Sequence, residues 1–251
     1  MPTVVCWGGL DPGAQAGLAA DLEAAHGLGA QARLVLTART AQADGRWIQA
    51  WAVADDEVRT VSAGLDLPAH FAVKTGMLAT LANLRQCLAF CRTHSASPLV
   101  VDPLWQSSSG GWLWLDPLPE VRAALLHELL PIASVVTPNW LELQWLAGST
   151  LSDLGQVGKA LAALPCPAVL KGGHAPDALR GIDWVWDGST LTPIAPDKTW
   201  LQAAGRRQGV RGTGCRFATA LAVGLANGQT LLQATAAAKT AVAAYALRQL
   251  A

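Results

Sequence analysis

GRRQGVRGTGCRFATALAVGLANG, residues 205–228, is the stretch from which the rest of the chain is read. Gly212, Thr213 and Gly214 form a tight turn with nothing bulky projecting in front of it. Immediately after it, Phe217, Leu221 and Leu225 recur at four-residue spacing among alanines, which predicts an amphipathic helix, and Asn227-Gly228 supplies its stop. A helix start offers free N–H groups and the positive end of the dipole, and so makes an anion site. Cys215 falls in that first turn, where the field favours a thiolate. An anion pocket containing an activatable side chain suggests phosphoryl transfer. The same residues also fit a plain tight connection into a buried helix, so the remaining sequence has to decide.

Working outward, strand and helix signals alternate nearly throughout. Val4–Trp7, residues 33–37, Phe71–Thr75, Leu99–Val101, Ser134–Thr137 and Ala168–Lys171 are short apolar runs that read as strands. Helical spacing follows most of them, through Leu18 to Gly27, Leu78 to Leu88, Val121–Leu130 and Leu154–Leu164. Asp187-Gly188 predicts a hairpin between Trp184–Trp186 and Leu191–Pro193, and two helices finish the chain. Repeated β–α units with apolar strands imply an α/β fold with a mostly parallel sheet covered by helices on both faces. Several strands end in polar or glycine-rich clusters, at Gly9, Asp102, Asn139 and Gly172. Open α/β sheets bind ligands at the carboxyl ends of their strands, so these clusters are expected to converge on one crevice with Cys215. Segments 43–47, 106–112 and 173–182 read as surface loops or lids.

Composition narrows the function classes. Of 251 residues, 51% are hydrophobic and 14% charged, ample for a core and too apolar for disorder. The formal net charge is zero and no basic stripe is present, so a nucleic-acid partner is not expected. The N-terminus carries no charged leader region, and no run of about 18 uncharged apolar residues occurs, so neither a signal peptide nor a membrane span is expected. Cys6, Cys87, Cys91, Cys166 and Cys215 are odd in number and irregularly spaced, which fits a reducing, cytoplasmic compartment. Cys87, Cys91 and His94 would be half a metal site at most, and read better as buried helical residues. The eleven tryptophans suit packing or interfaces, and two or three would wall a ring-shaped ligand.

Taken in order, seven segments resemble the hydroxymethylpyrimidine/phosphomethylpyrimidine kinases of thiamine biosynthesis, in the ribokinase superfamily. They are Gly9-Leu10-Asp11-Pro12 with Ala20-Asp21-Leu22, Thr37 to Gln42, Lys74-Thr75-Gly76-Met77-Leu78, Val100-Val101-Asp102-Pro103, Thr137-Pro138-Asn139-Trp140-Leu141-Glu142, Lys171-Gly172-Gly173-His174 and Gly212-Thr213-Gly214-Cys215. The resemblance runs nearly end to end. It implies a three-layer ribokinase-like fold as one kinase domain over residues 1–251, and, since related kinases often dimerise, a homodimer.

The resemblance also implies roles. ATP and Mg²⁺ are the expected cofactors. Cys215 would take the proton of a substrate hydroxymethyl, and the amides of Gly212, Thr213, Gly214 and Cys215 would hold the phosphoryl group in flight. Asn139 and Glu142, at i, i+3, would hold hydrated Mg²⁺, although the same pair also makes an ordinary helix cap. Lys171, Gly173, Asn139 and Lys239 would face the nucleotide. Gly9, Asp21, Gln42 and Met77 would surround an aminopyrimidine ring. Gln15, Trp105 and Arg211 depart from the usual family residues. Pyridoxal kinase activity on the same fold, and a non-catalytic pyrimidine sensor, are the rival readings.

Overall fold

Strand β1, Thr3–Leu10, runs through the middle of the molecule and is buried for all but its last residue. Side chains alternate across a strand. Val5 and Trp7 therefore enter one core with Val73, Val101, Val136 and Leu170. Val4 and Cys6 enter a second core, on the other face, with Ala72, Val100, Val135 and Val169. This two-sided burial explains why the strands read as unbroken apolar runs rather than alternating ones.

In the computed structural model, residues 1–43, 46–107, 110–176, 179–196 and 210–249 are described. Among them the sheet has the order β3-β2-β1-β4-β5-β6-β7-β8-β9. The members after β1 are β2 (Gln31–Ala43), β3 (Arg46–Ala52), β4 (Ala72–Thr75) and β5 (Leu99–Val101). They continue with β6 (Val135–Val136), β7 (Ala168–Leu170), β8 (Asp183–Trp186) and β9 (Leu191–Ile194). The strands from β2 to β7 pair in parallel. The two margins are antiparallel: β2 with β3, and β7 with β8 and β9.

Helices α1 (Gly17–Gly27), α7 (Thr213–Ala226) and α8 (Leu231–Arg248) cover the Val4/Cys6 face. The opposite face packs against α2 (Asp55–Ala63), α3 (Leu81–Thr93), α4 (Leu118–Ala124), α5 (Trp140–Ala147) and α6 (Leu154–Ala162). This is the expected α/β architecture of three layers.

Four local expectations change. Of the loop expected over residues 43–47, Ala43 closes β2 and residues 46 and 47 open β3, while residues 44 and 45 lie outside the described residues. As an edge strand with Ile48 and Trp51 exposed, β3 lacks the buried apolar run that marks the inner strands. Helix α2 also escaped notice, since its first turn is Asp55, Asp56 and Glu57 and little of it is apolar. The single helix expected over Val121–Leu130 is instead α4, followed by a π turn at Leu125–Leu129 and a 3₁₀ turn at Leu130–Ile132 that contains Pro131. Finally, α7 is not amphipathic: every residue from Cys215 to Gly224 is buried. Its second side is covered by α8 at close range. A β-carbon on Gly224 would lie 2.8 Å from Ala234 Cβ, so the glycine permits that approach.

Candidate active site

The start of α7 lies at the carboxyl end of the parallel strands. Gly212 caps it with φ of +72°, and a β-carbon there would strike the Gln15 carbonyl, so only glycine fits. Gly214 is less constrained: a β-carbon on it would make ordinary contacts, 3.6 Å from Lys171 Nζ and 3.9 Å from Asp102 Oδ2. The helix start thus reaches the ends of β5 and β7. A cleft of about 1050 Å³ opens in front of it. Gly9, Asp21, Met77, Asn139, Glu142, Lys171, Gly173, Lys239 and the turn from Gly212 to Cys215 all line this one cleft. Gln42 pairs with Trp47 through the β2–β3 register, and its side chain lies outside the described residues.

One wall carries an open charge cluster. Lys171 Nζ donates to Asp102 Oδ1 at 2.7 Å and lies 3.7 Å from Glu142 Oε2. Asp102 Oδ2 is buried and, among the described residues, has no hydrogen-bond partner. Asn139 and Glu142 form a capping box for α5, with Glu142 N donating to Asn139 Oδ1 at 2.9 Å and Asn139 N to Glu142 Oε2 at 2.6 Å. The helix-cap geometry and the cleft position therefore coincide in the same two residues. Burial pushes the Glu142 carboxyl up to about 7, with Lys171 opposing and the Asp102 charge adding to it. Burial pulls the Lys171 ammonium down, but Asp102 and Glu142 more than offset this and hold it at about 12.

The floor carries a closed cluster. Lys74 Nζ donates to both Asp21 oxygens at 2.9 Å, and Thr219 Oγ1 donates to Asp21 Oδ1 at 2.8 Å. An ionised carboxylate has about four acceptor positions. Three are taken, which leaves Asp21 far less free to meet a ligand edge than its sequence position suggested. Cys215, buried on the same floor, also differs from expectation. Burial pushes its thiol up, Lys74 pulls it down, and Asp21 and Asp102 push it up again, so the resting group is a thiol rather than a thiolate. Desolvation is the largest of these influences.

Other expected residues take firm positions. Lys239 Nζ donates to Asp183 Oδ2 at 2.8 Å and to the Gly181 carbonyl at 2.6 Å. Asp183 Oδ1 accepts the Gly172 amide at 2.7 Å, so Lys239 also anchors the turn beside Gly173. A β-carbon on Gly9 would come within 3.0 Å of Met77 Sδ, which places this thioether directly against the β1 backbone. Trp47 and Trp105 line the cleft. Trp105 stacks on Trp145 with centroids 5.9 Å apart.

Sequence reading marked Asp102 as a strand end and Lys74 as part of a motif, but gave neither a role in the cleft. The available signal was a charged residue at the end of an otherwise apolar strand, repeated twice. Cys87 and Cys91 are buried, and His94 packs against Phe71 and Phe90. Among the described residues no cluster of three or more His, Cys, Asp or Glu is arranged around a metal position. Among the same residues no helix is long and apolar enough to cross a membrane.

Comparison with known proteins gives the family and the fold. Residues 11–250 match the family described as phosphomethylpyrimidine kinase. The chain is 38% identical over 247 residues to the hydroxymethylpyrimidine/phosphomethylpyrimidine kinase of Streptomyces coelicolor, covering 95% of this chain and 86% of that one. It is 35% identical to the enzyme of the same name from Rhizobium meliloti, covering 92% and 85%. Among solved structures, pyridoxal kinase from Staphylococcus aureus in complex with pyridoxal superposes with a TM-score of 0.80 at 27% identity, covering 97% of this chain and 86% of that one. The fold is therefore ribokinase-like, and the chain belongs to the phosphomethylpyrimidine kinase family of phosphotransferases.

Proposed function

We propose that this protein transfers the γ-phosphoryl group of ATP to the hydroxymethyl of 4-amino-5-hydroxymethyl-2-methylpyrimidine, and then a second one to the monophosphate, in thiamine biosynthesis. The observation that carries the reading is the helix start of α7 opening into a cleft between a thiol and a lysine–carboxylate cluster. Phosphoryl transfer needs little covalent chemistry from a protein and depends on positioning and charge stabilisation. In this reading the amides from Gly212 to Cys215 hold the equatorial oxygens of the group in flight. Cys215, as thiolate, takes the hydroxymethyl proton while that oxygen bonds to phosphorus and the bond to ADP breaks. Lys171, Gly173, Lys239 and Asn139 face the nucleotide phosphates. Gly9, Met77 and Gln42 border the acceptor ring, with Asp21 beneath it.

A divalent cation fits the open cluster. Asp102 Oδ2 is a buried acceptor without a partner, and Glu142 is a buried carboxyl beside it. Mg²⁺ binds through one or two carboxylates, retained waters and substrate phosphates, which suits a wall with few protein ligands. Glu142 and Asn139 would hold it, with Asp102 Oδ2 accepting from a bound water. Its chemistry would be to neutralise negative charge on the nucleotide phosphates. We further propose a cytoplasmic homodimer, for which light scattering of the purified chain is the check.

The test is ADP release with hydroxymethylpyrimidine, its monophosphate and pyridoxal, for wild type and Cys215→Ala. Turnover of both pyrimidines is expected, with a loss of about 10²–10⁴ in kcat for the variant, the usual worth of a general base. Because the resting group is a thiol, wild-type kcat/KM is expected to climb with pH through the alkaline range. Turnover of pyridoxal alone would overturn the substrate assignment, and tight pyrimidine binding without turnover would support a sensor instead.

A further inference from the structure

Lys74 is a cation sealed into the floor of the cleft, and the reading above gives it no task. Its ammonium bonds both oxygens of Asp21 at 2.9 Å, and both side chains are buried. A buried ion pair is a poor device for stability, since well-packed apolar residues of the same volume do as well or better. Yet the surroundings are shaped to it. Gly76 has no side chain, and a β-carbon there would come within 3.0 Å of Lys74 Nζ. Thr219 lies one turn beyond Cys215 on the same face of α7 and donates to Asp21 Oδ1 at 2.8 Å. That bond ties the rotation of α7, and so the position of the thiol, to α1 and β4. The Gly17 backbone amide, at the start of α1, is also among the groups that draw the thiol down.

The geometry points to Lys74 as a positioning residue for Cys215: a fixed cation, aimed by Asp21 and tied to α7 through Thr219, that stabilises the sulfur anion as a proton leaves or joins it. This rests on the role proposed above for Cys215. The charged and titratable groups around that sulfur are Lys74 from β4, Asp21 from α1, Asp102 after β5, Lys171 after β7 and Cys6 from β1. Arg216, the next cation on α7, turns away to Glu23 and the Tyr245 ring. Burial pushes the thiol up; Lys74 is the largest influence pulling it down, and Asp21 is the next, pushing it up. Burial also pulls Lys74 down, but Asp21 first, then Cys215 and Asp102, more than offset this, so the cation is permanent at working pH. Removing Lys74 and removing Asp21 therefore have opposite effects on Cys215, a signature that a purely structural ion pair lacks.

The experiment is the pH dependence of Cys215 alkylation by iodoacetamide, read by mass spectrometry of the peptide carrying it, on the full chain without ATP or pyrimidine. Lys74→Met is expected to move the midpoint up by about 1–3 units, the range for a neighbouring opposite charge, and Asp21→Asn to move it down. Each single variant leaves one buried charge unpaired and risks misfolding. The double variant Asp21→Asn/Lys74→Met removes the pair together and is expected to move the midpoint up, because the cation is the larger influence. A folded double variant with an unmoved midpoint, or single variants that shift the same way, would overturn the inference. The readout needs no turnover, so an inactive wild type would sink the proposed function while this result still stood on its own.

Discussion

Two lysine–carboxylate clusters flank the start of α7, and one is closed while the other is open. Lys74 meets Asp21 on both oxygens, and Thr219 supplies a third bond. Lys171 meets Asp102 on one oxygen only, with Glu142 further off at 3.7 Å and Asp102 Oδ2 left without a partner. The closed cluster has little left to offer a ligand directly, so its charge acts mainly at a distance. The open cluster keeps a buried acceptor that its own chain does not satisfy. Such an atom is costly unless something that binds there completes it.

The comparison breaks most visibly on stability. Lys74→Met strands the Asp21 carboxylate in a dry floor and is expected to lose about 3–5 kcal/mol, as broken buried pairs do, in chemical denaturation. Lys171→Met is expected to lose clearly less, because Lys171 borders the open cleft, its side chain 13% exposed against 1% for Lys74, where water reaches the Asp102 carboxylate it leaves. Equal losses would erase the distinction between the clusters. Turnover should sort them the other way. Lys171→Met is expected to fold and to lose about 10²–10³ in kcat, comparable with removing one preorganised donor from a reacting anion.

A finer probe is Glu142→Gln. The carboxyl lies at about 7 in the folded protein, above the range it has when unfolded. A group raised in this way supports the fold below its unfolded value and loses that contribution as pH climbs through its folded value. Glutamine keeps the capping bond to the Asn139 amide and has no charge to bury. The melting temperature of Glu142→Gln relative to wild type is therefore expected to rise between about pH 5 and about pH 8. A flat or falling difference would show that the open cluster tolerates the Glu142 charge. The smallest effect is expected at Ala14, an exposed residue with φ of +53° in the loop that carries the Gln15 carbonyl to Gly212. Ala14→Gly relieves roughly 1–2 kcal/mol of left-handed strain and returns about half of it as chain entropy, for a net gain of under about 1 kcal/mol.

Much of the fold is legible in residue patterns. The inner strands announce themselves as apolar runs because helices bury both of their faces, and Thr80, Asn139 and Asp153 mark helix starts through side chains that cap the next turn. The edge strand β3 and helix α2 are not legible: Trp47, Ile48, Ala50, Trp51 and Ala52 follow no strict strand alternation in β3, and α2 carries too few apolar residues to set a period. The site is legible as a set of strand ends. Its partnerships are not: Lys74 with Asp21 spans 53 positions, Lys171 with Asp102 spans 69, and Thr219 with Asp21 spans 198.

The sequence by itself determined the layered fold, through periodicity, capping and the glycines that permit tight turns, and its resemblance to known kinases supplied the family and most of the residues that line one cleft. Only the tertiary structure decided which charges neutralise one another and which remain open. It also decided that Cys215 rests as a thiol, despite standing at a helix start. The reason is that a helix start acts over one turn, whereas desolvation and Coulomb forces depend on everything the fold brings within a few ångströms, whatever its distance along the chain.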